Sequence, residues 1–167
     1  MKFWVIGLLA VVLFGTAAGA SCCSAEKEPT LTGCRYDCGG GKPGGFLSMS
    51  LWLKKDGTVK GVLETRRRHD EPTVRRETAV PREKLDELSA MFPRKDVLRW
   101  AAAPKVTDIL DGDVVSVAFD YSDGDCATLY EFNDLPPEGF EALKRVKAFL
   151  WELLKDAPQV ETKEKTR

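Results

Sequence analysis

Val114-Val-Ser-Val-Ala-Phe-Asp-Tyr121, then Ser122-Asp-Gly-Asp125, then Cys126-Ala-Thr-Leu-Tyr-Glu-Phe132 is the stretch whose reading decides the fold. Two runs rich in β-branched and aromatic residues flank an Asp-Gly pair, the pattern of a β-hairpin. A two-residue turn at Asp123-Gly124 sets Tyr121 against Cys126, Phe119 against Thr128, Val117 against Tyr130 and Val115 against Phe132. All four pairs then share one face. A slip of one residue would send that set to the other face, so the register carries most of the information. One strongly apolar sheet face requires a cover, and the rest of the chain is read for it.

The cover comes from Pro-initiated helices. Pro136-Pro137 opens a helix running to about Asp156, in which Phe140, Leu143, Val146, Phe149, Leu150, Leu153 and Leu154 form an apolar stripe and Glu141 can pair with Arg145. Pro81 opens a shorter helix to Phe92, with Leu85 and Leu88 on its apolar side and Glu83 at the positive end. Pro93 stops it, and a short helical piece around Asp96 to Ala102 anchors through Trp100. Upstream, Phe46–Leu53 and Thr58–Arg66 form another hairpin around Lys55-Asp56-Gly57. A three-residue loop with Gly57 left-handed gathers Leu47, Met49, Leu51, Leu53, Val59 and Leu63, and sets Gly61 against Leu51. Thr73–Val80 supplies a third strand through Val74 and Val80. Asp111-Gly112-Asp113 is the turn that feeds the decisive hairpin.

These elements predict an α+β fold: an antiparallel sheet of about four to five strands with two helices on one face, in the order ββ(β)αββα. Val80-Pro81-Arg82-Glu83 and Leu135-Pro136-Pro137-Glu138 open the two helices alike, so a ββα pseudo-repeat is a possibility. The predicted organisation is a signal segment at 1–21, a tether at 22–33, one domain at 34–157 and a disordered tail at 158–167. The layout is similar to small exported domains of unknown function.

Lys2, the apolar run Phe3–Phe14 and the small residues Gly15–Ala20 have the three parts of a secretory signal. Gly19-Ala20-Ser21-Cys22 resembles the lipobox of bacterial lipoproteins. That resemblance implies a diacylated Cys22 as the mature N-terminus and anchoring in the cell-envelope membrane through the lipid. Two acyl chains give the stable attachment that one cannot. Ala18-Gly19-Ala20 also suits ordinary signal peptidase, which would leave Ser21 as the start of a secreted chain. Ser24–Thr32 reads as a tether, and about ten flexible residues reach roughly 15–20 Å.

Five cysteines are present. Acylation of Cys22 leaves Cys23, Cys34, Cys38 and Cys126 for an oxidising compartment, with disulfides possible among Cys34, Cys38 and Cys126. Gly33–Gly45 reads as a flexible loop that is either stapled by Cys34 and Cys38 or tied to Cys126. It is no phosphate loop, because Tyr36 stands where the first glycine should be and Pro43 follows Lys42. Tyr36 and Lys42 are the loop's candidate ligand contacts.

Net charge is −1, which offers no overall field to nucleic acid. Its distribution is uneven, with Arg66, Arg67, Arg68, Arg75, Arg76 and Arg82 in the first half and most aspartates in the second. The arginines are candidates for a protein partner or an anionic envelope component. His69 is the only histidine, and neither a zinc spacing, a calcium loop nor a nucleophile elbow occurs, so no metal, cofactor or catalytic residue is assigned. The function expected is a non-catalytic binding or scaffolding domain on an exported lipoprotein. The alternatives are a secreted inhibitor or partner-binding module and a secreted enzyme with an unrecognised site.

Overall fold

The computed structural model describes residues 28–40, 44–104 and 114–160. The signal segment, Cys22, Lys42, the Asp111-Gly112-Asp113 turn and 161–167 lie outside the described residues. The described chain forms β1 (Leu31–Gly39), β2 (Phe46–Leu53), β3 (Val59–Arg66), β4 (Val74–Val80), α1 (Arg82–Met91), α2 (Arg94–Ala101), β5 (Val114–Tyr121), β6 (Cys126–Tyr130), α3 (Pro137–Leu154) and β7 (Gln159–Val160). The strands make one antiparallel sheet in the order β6-β5-β1-β2-β3-β4-β7. The α+β class and the single antiparallel sheet agree with the sequence. The counts do not: among the described residues seven strands and three helices stand where four to five and two were expected.

The largest correction is β1. Residues 31–39, read as the end of a tether and a glycine-rich loop, form the strand between the two hairpins, pairing with β2 on one side and β5 on the other. Its sequence alternates: Cys34 and Tyr36 are buried and Cys38 half-buried on the helix side, while Arg35 and Asp37 face outward and pair at 2.8 Å. The period of two that marks a half-exposed strand is present, with small apolar thiols in the inner positions. The tail is corrected as well: Gln159 and Val160 pair with Arg76 and Arg75, and Glu77 N donates to Pro158 O.

Both hairpins use one turn geometry. In β2–β3, Lys54 N donates to Thr58 O and Gly57 N to Lys54 O, with Gly57 at φ 83°. In β5–β6, Tyr121 N donates to Asp125 O and Gly124 N to Tyr121 O, with Gly124 at φ 90°. A three-residue loop closed by a left-handed glycine suits such bulged hairpins. The expected β2–β3 register holds, with Leu51 opposite Gly61 and Met49 opposite Leu63. The β5–β6 register is off by one: Phe119 pairs with Ala127, Val117 with Leu129 and Ser116 with Tyr130. Ala127 and Leu129 are therefore buried, and Tyr130 lies on the opposite face with Cys126 and Thr128.

All three helices pack on the Cys34–Tyr36 face. Leu85, Leu88, Val97, Trp100, Val146, Leu150 and Leu154 join Met49, Leu51, Phe119 and Leu129 in one core cluster. Phe92, just past α1, meets Phe119 at 5.9 Å between ring centres. A Cβ at Gly61 would lie 2.5 Å from Leu154 Cδ2, so the last turn of α3 rests directly on β3. Arg76 holds that helix end by donating from Nη1 to Lys155 O and Ala157 O, where a cation and spare carbonyls suit one another. Glu141 pairs with Lys144, not with the expected Arg145, whose guanidinium lies over Phe92. The first-half unit is also longer than ββα, since β4 stands between its hairpin and α1.

Candidate functional site

The strand arginines do not form one patch. Arg75 bridges Glu64 and Glu77 on the open face, and Glu77 also meets Lys60 at 2.5 Å. Arg76 is on the helix side at the end of α3. Arg66 lies over the Phe46 ring and donates to Gly44 O, and Arg68 is 3.6 Å from Asp70. Arg67 and His69 are exposed in the same turn. Lys60 and Arg75 together hold the Glu77 carboxyl below its ordinary range, so the pairing favours charge on both sides. Among the described residues no three His, Cys, Asp or Glu side chains gather closely enough to hold a metal ion.

The expected disulfides are absent among the described cysteines: Cys34, Cys38 and Cys126 are free. The register gives the reason. Cys126 pairs with Asp120 and shares its outward face, whereas Cys34 pairs with Phe119 on the core face two strands away. Cys34 and Cys38 are four residues apart on an extended strand, roughly 13 Å, well past bridging distance. Burial, then Asp120, pushes the Cys34 thiol far up, and burial, then bonding to Asp120, raises Cys126. Neither thiol is activated as a nucleophile.

The described residues leave a groove between α3 and the strand ends that carry Val115 of β5, Cys38 of β1 and Leu47 of β2. A cavity of about 470 Å³ is lined by Leu47, Lys144, Lys147, Ala148 and Trp151. An adjoining one of about 220 Å³ is lined by Tyr36, Cys38, Val115, Glu131, Phe140, Leu143 and the same two lysines. Positions 140, 144, 147, 148 and 151 follow helical spacing, so α3 presents them as one stripe. Phe140 and Trp151 are 37% and 44% exposed. Tyr36, expected in a loop as a ligand contact, instead forms part of the groove floor, where burial and then Cys38 keep its hydroxyl strongly protonated. Lys147 Nζ lies 5.9 Å from the Tyr36 ring centre.

Sequence reading missed Phe140, Lys144, Lys147 and Trp151 as a set. Phe140 belongs to the apolar stripe expected to cover the sheet, yet it is 37% exposed. The available signal was the i, i+4, i+7, i+11 spacing of an aromatic, two lysines and an aromatic, which superposes all four on one helix edge. What the arrangement can do is bind: it joins exposed apolar surface to two ammonium groups beside the buried Tyr36 ring. The chain matches no known family model and no curated protein sequence.

Proposed function

We propose that this chain is an exported bacterial envelope protein, anchored by lipid on Cys22, whose domain binds a ligand without transforming it, and that the α3 groove is the binding site. The observation that carries the reading is the groove itself, with Phe140, Trp151, Lys144 and Lys147 on one helix edge. Supporting the binding role, burial drives Tyr36 and Cys34 toward their protonated, unreactive forms instead of toward general-acid or nucleophile chemistry.

The point where the chain enters the fold supports the anchored reading. Thr30 N donates to Ser122 Oγ and Ser122 N donates to Thr30 O, fastening the N-terminal side to the β5–β6 turn. Cys38 in the groove stands seven residues along β1 from Leu31, roughly 23 Å at strand rise. A tether would thus join the domain at the turn end, away from the groove.

Intact mass of the protein purified from its native envelope tests the anchoring. A mature chain starting at Cys22 with added acyl mass is expected. An unmodified chain starting at Ser21 contradicts it and moves the protein to a secreted binding module. The binding site is tested separately by Phe140→Ser with Trp151→Ser, which should leave the fold intact and abolish ligand retention.

A further inference from the structure

Resting on the reading of the α3 groove as a binding site, we infer that its ligand is a single-chain amphiphile with an anionic head. The head sits between Lys144 and Lys147, and the apolar chain lies along Leu47, Ala148 and Trp151. The lining of the larger cavity decides the chemistry: three apolar side chains, two ammonium groups and no carboxylate. Its 470 Å³ is within the range of small-molecule sites. Glu131 is the carboxylate of the neighbouring cavity, which shares the same two lysines, and it is not part of the lining of the larger one.

The two lysines are available. Among the described residues Lys147 has no carboxylate partner; its contact is the Tyr36 ring. Lys144 meets Glu141 at 2.8 Å, but the two side chains are 73% and 61% exposed, and such a pair exchanges readily for another anion. With the apolar chain over Trp151 and Leu47, the head group is shielded from water on one side, which strengthens its bonds to both ammonium groups. The apolar chain covers Trp151, one of three large hydrophobic residues exposed among those described.

The size of the groove argues against a protein occupant. The five lining side chains are far fewer than the roughly 20–30 residues a stable protein interface uses on each side.

The test uses the exported protein as its Cys22→Ser variant, so that no acyl chain of its own competes. Titration calorimetry is run with dodecanoate below its micelle concentration, and with dodecyl maltoside and dodecyltrimethylammonium as neutral and cationic probes of equal chain length. One dodecanoate per chain is expected, with the other two probes bound at least about tenfold more weakly. Lys144→Gln with Lys147→Gln should erase that preference, and Trp151→Ser should weaken all three probes while thermal unfolding stays unchanged. Equal affinity for the three head groups overturns the anionic assignment and leaves the groove as a site. Dodecanoate binding that neither variant changes, or no binding of any probe, overturns both. Binding to anionic vesicles without binding to free dodecanoate makes the groove a membrane contact and also overturns the inference.

Discussion

On the open face of the sheet, Lys60 lies 2.5 Å from Glu77, and Arg75 reaches both Glu77 and Glu64 within 2.7 Å. On α3, among the described residues, Lys147 makes no ion pair and lies 5.9 Å from the Tyr36 ring centre, and Lys144 pairs with an exposed glutamate one turn away. The sequence suggests the reverse ranking, since the candidate contacts include the arginines of the first half and no lysine of the second. Charge available to a ligand depends on which face each residue occupies and what lies opposite it in the register. Arg75 and Glu64 are paired across β3–β4, and no count along the chain reveals that.

The strongest way to break the contrast between the two faces is at Leu129 and Tyr130. Leu129 is fully buried on the helix side and Tyr130 lies on the open face, where its ring stacks on Phe132. Leu129→Ala should cost about 2–5 kcal/mol and Tyr130→Ala less than half as much, read from urea unfolding. The opposite order would restore the two-residue turn. At the other hairpin, Gly61→Val drives a side chain into Leu154 and should cost about 1–3 kcal/mol. Adding Leu154→Ala should make the pair less than additive, and strict additivity would deny the contact.

The two faces should also fail at opposite ends of the pH scale. Glu77 has its folded value depressed by Lys60 and Arg75, so its contribution is present above the ordinary glutamate value of 4.5 and is lost as pH falls below it. Glu77→Gln should flatten the acid limb of a stability-against-pH curve. Tyr121, on β5 with its ring facing the core, is pushed up to about 12 by burial despite the Arg94 guanidinium 5.2 Å from its ring centre. Its contribution is present below the ordinary tyrosine value of 10.0 and is lost as pH rises toward 12. Tyr121→Phe should remove part of the alkaline limb alone, and a change in the acid limb would contradict the assignment. The smallest effect on stability belongs to the groove: Lys144→Gln with Lys147→Gln should leave the unfolding midpoint unchanged, whereas Lys60→Gln should cost up to about 1 kcal/mol through the open-face network.

Much of the fold was legible because some patterns admit one solution. In β2–β3 only the three-residue loop collects Val59 and Leu63 with Met49 and Leu51, so the register followed from the apolar set. In β5–β6 two registers compete, since Cys126, Thr128, Tyr130 and Phe132 alternate with Ala127 and Leu129. The small Ala127 and the buried Leu129 suit the strand on which α2 packs, while Tyr130 and Phe132 stack on each other at 4.9 Å. That choice depends on α2, which lies earlier in the chain and is invisible to hairpin logic. β1 was lost for another reason: its glycines and cysteines signal a stapled loop, while the alternation Cys34-Arg35-Tyr36-Asp37-Cys38 signals a strand. Cysteine acting as a small hydrophobe decides for the strand. The groove was the least legible part, because Phe140 in an apolar stripe reads as core until the sheet beneath it is known to end.

Amide and indole shifts recorded by NMR as dodecanoate is added test the central claim most directly. The groove account requires the changes to centre on Phe140, Lys144, Lys147 and the Trp151 indole, with the Trp52 indole and the Arg75 amide unmoved. Shifts centred on Trp52, Lys60 and Arg75 instead would locate ligand binding on the open face and contradict the account.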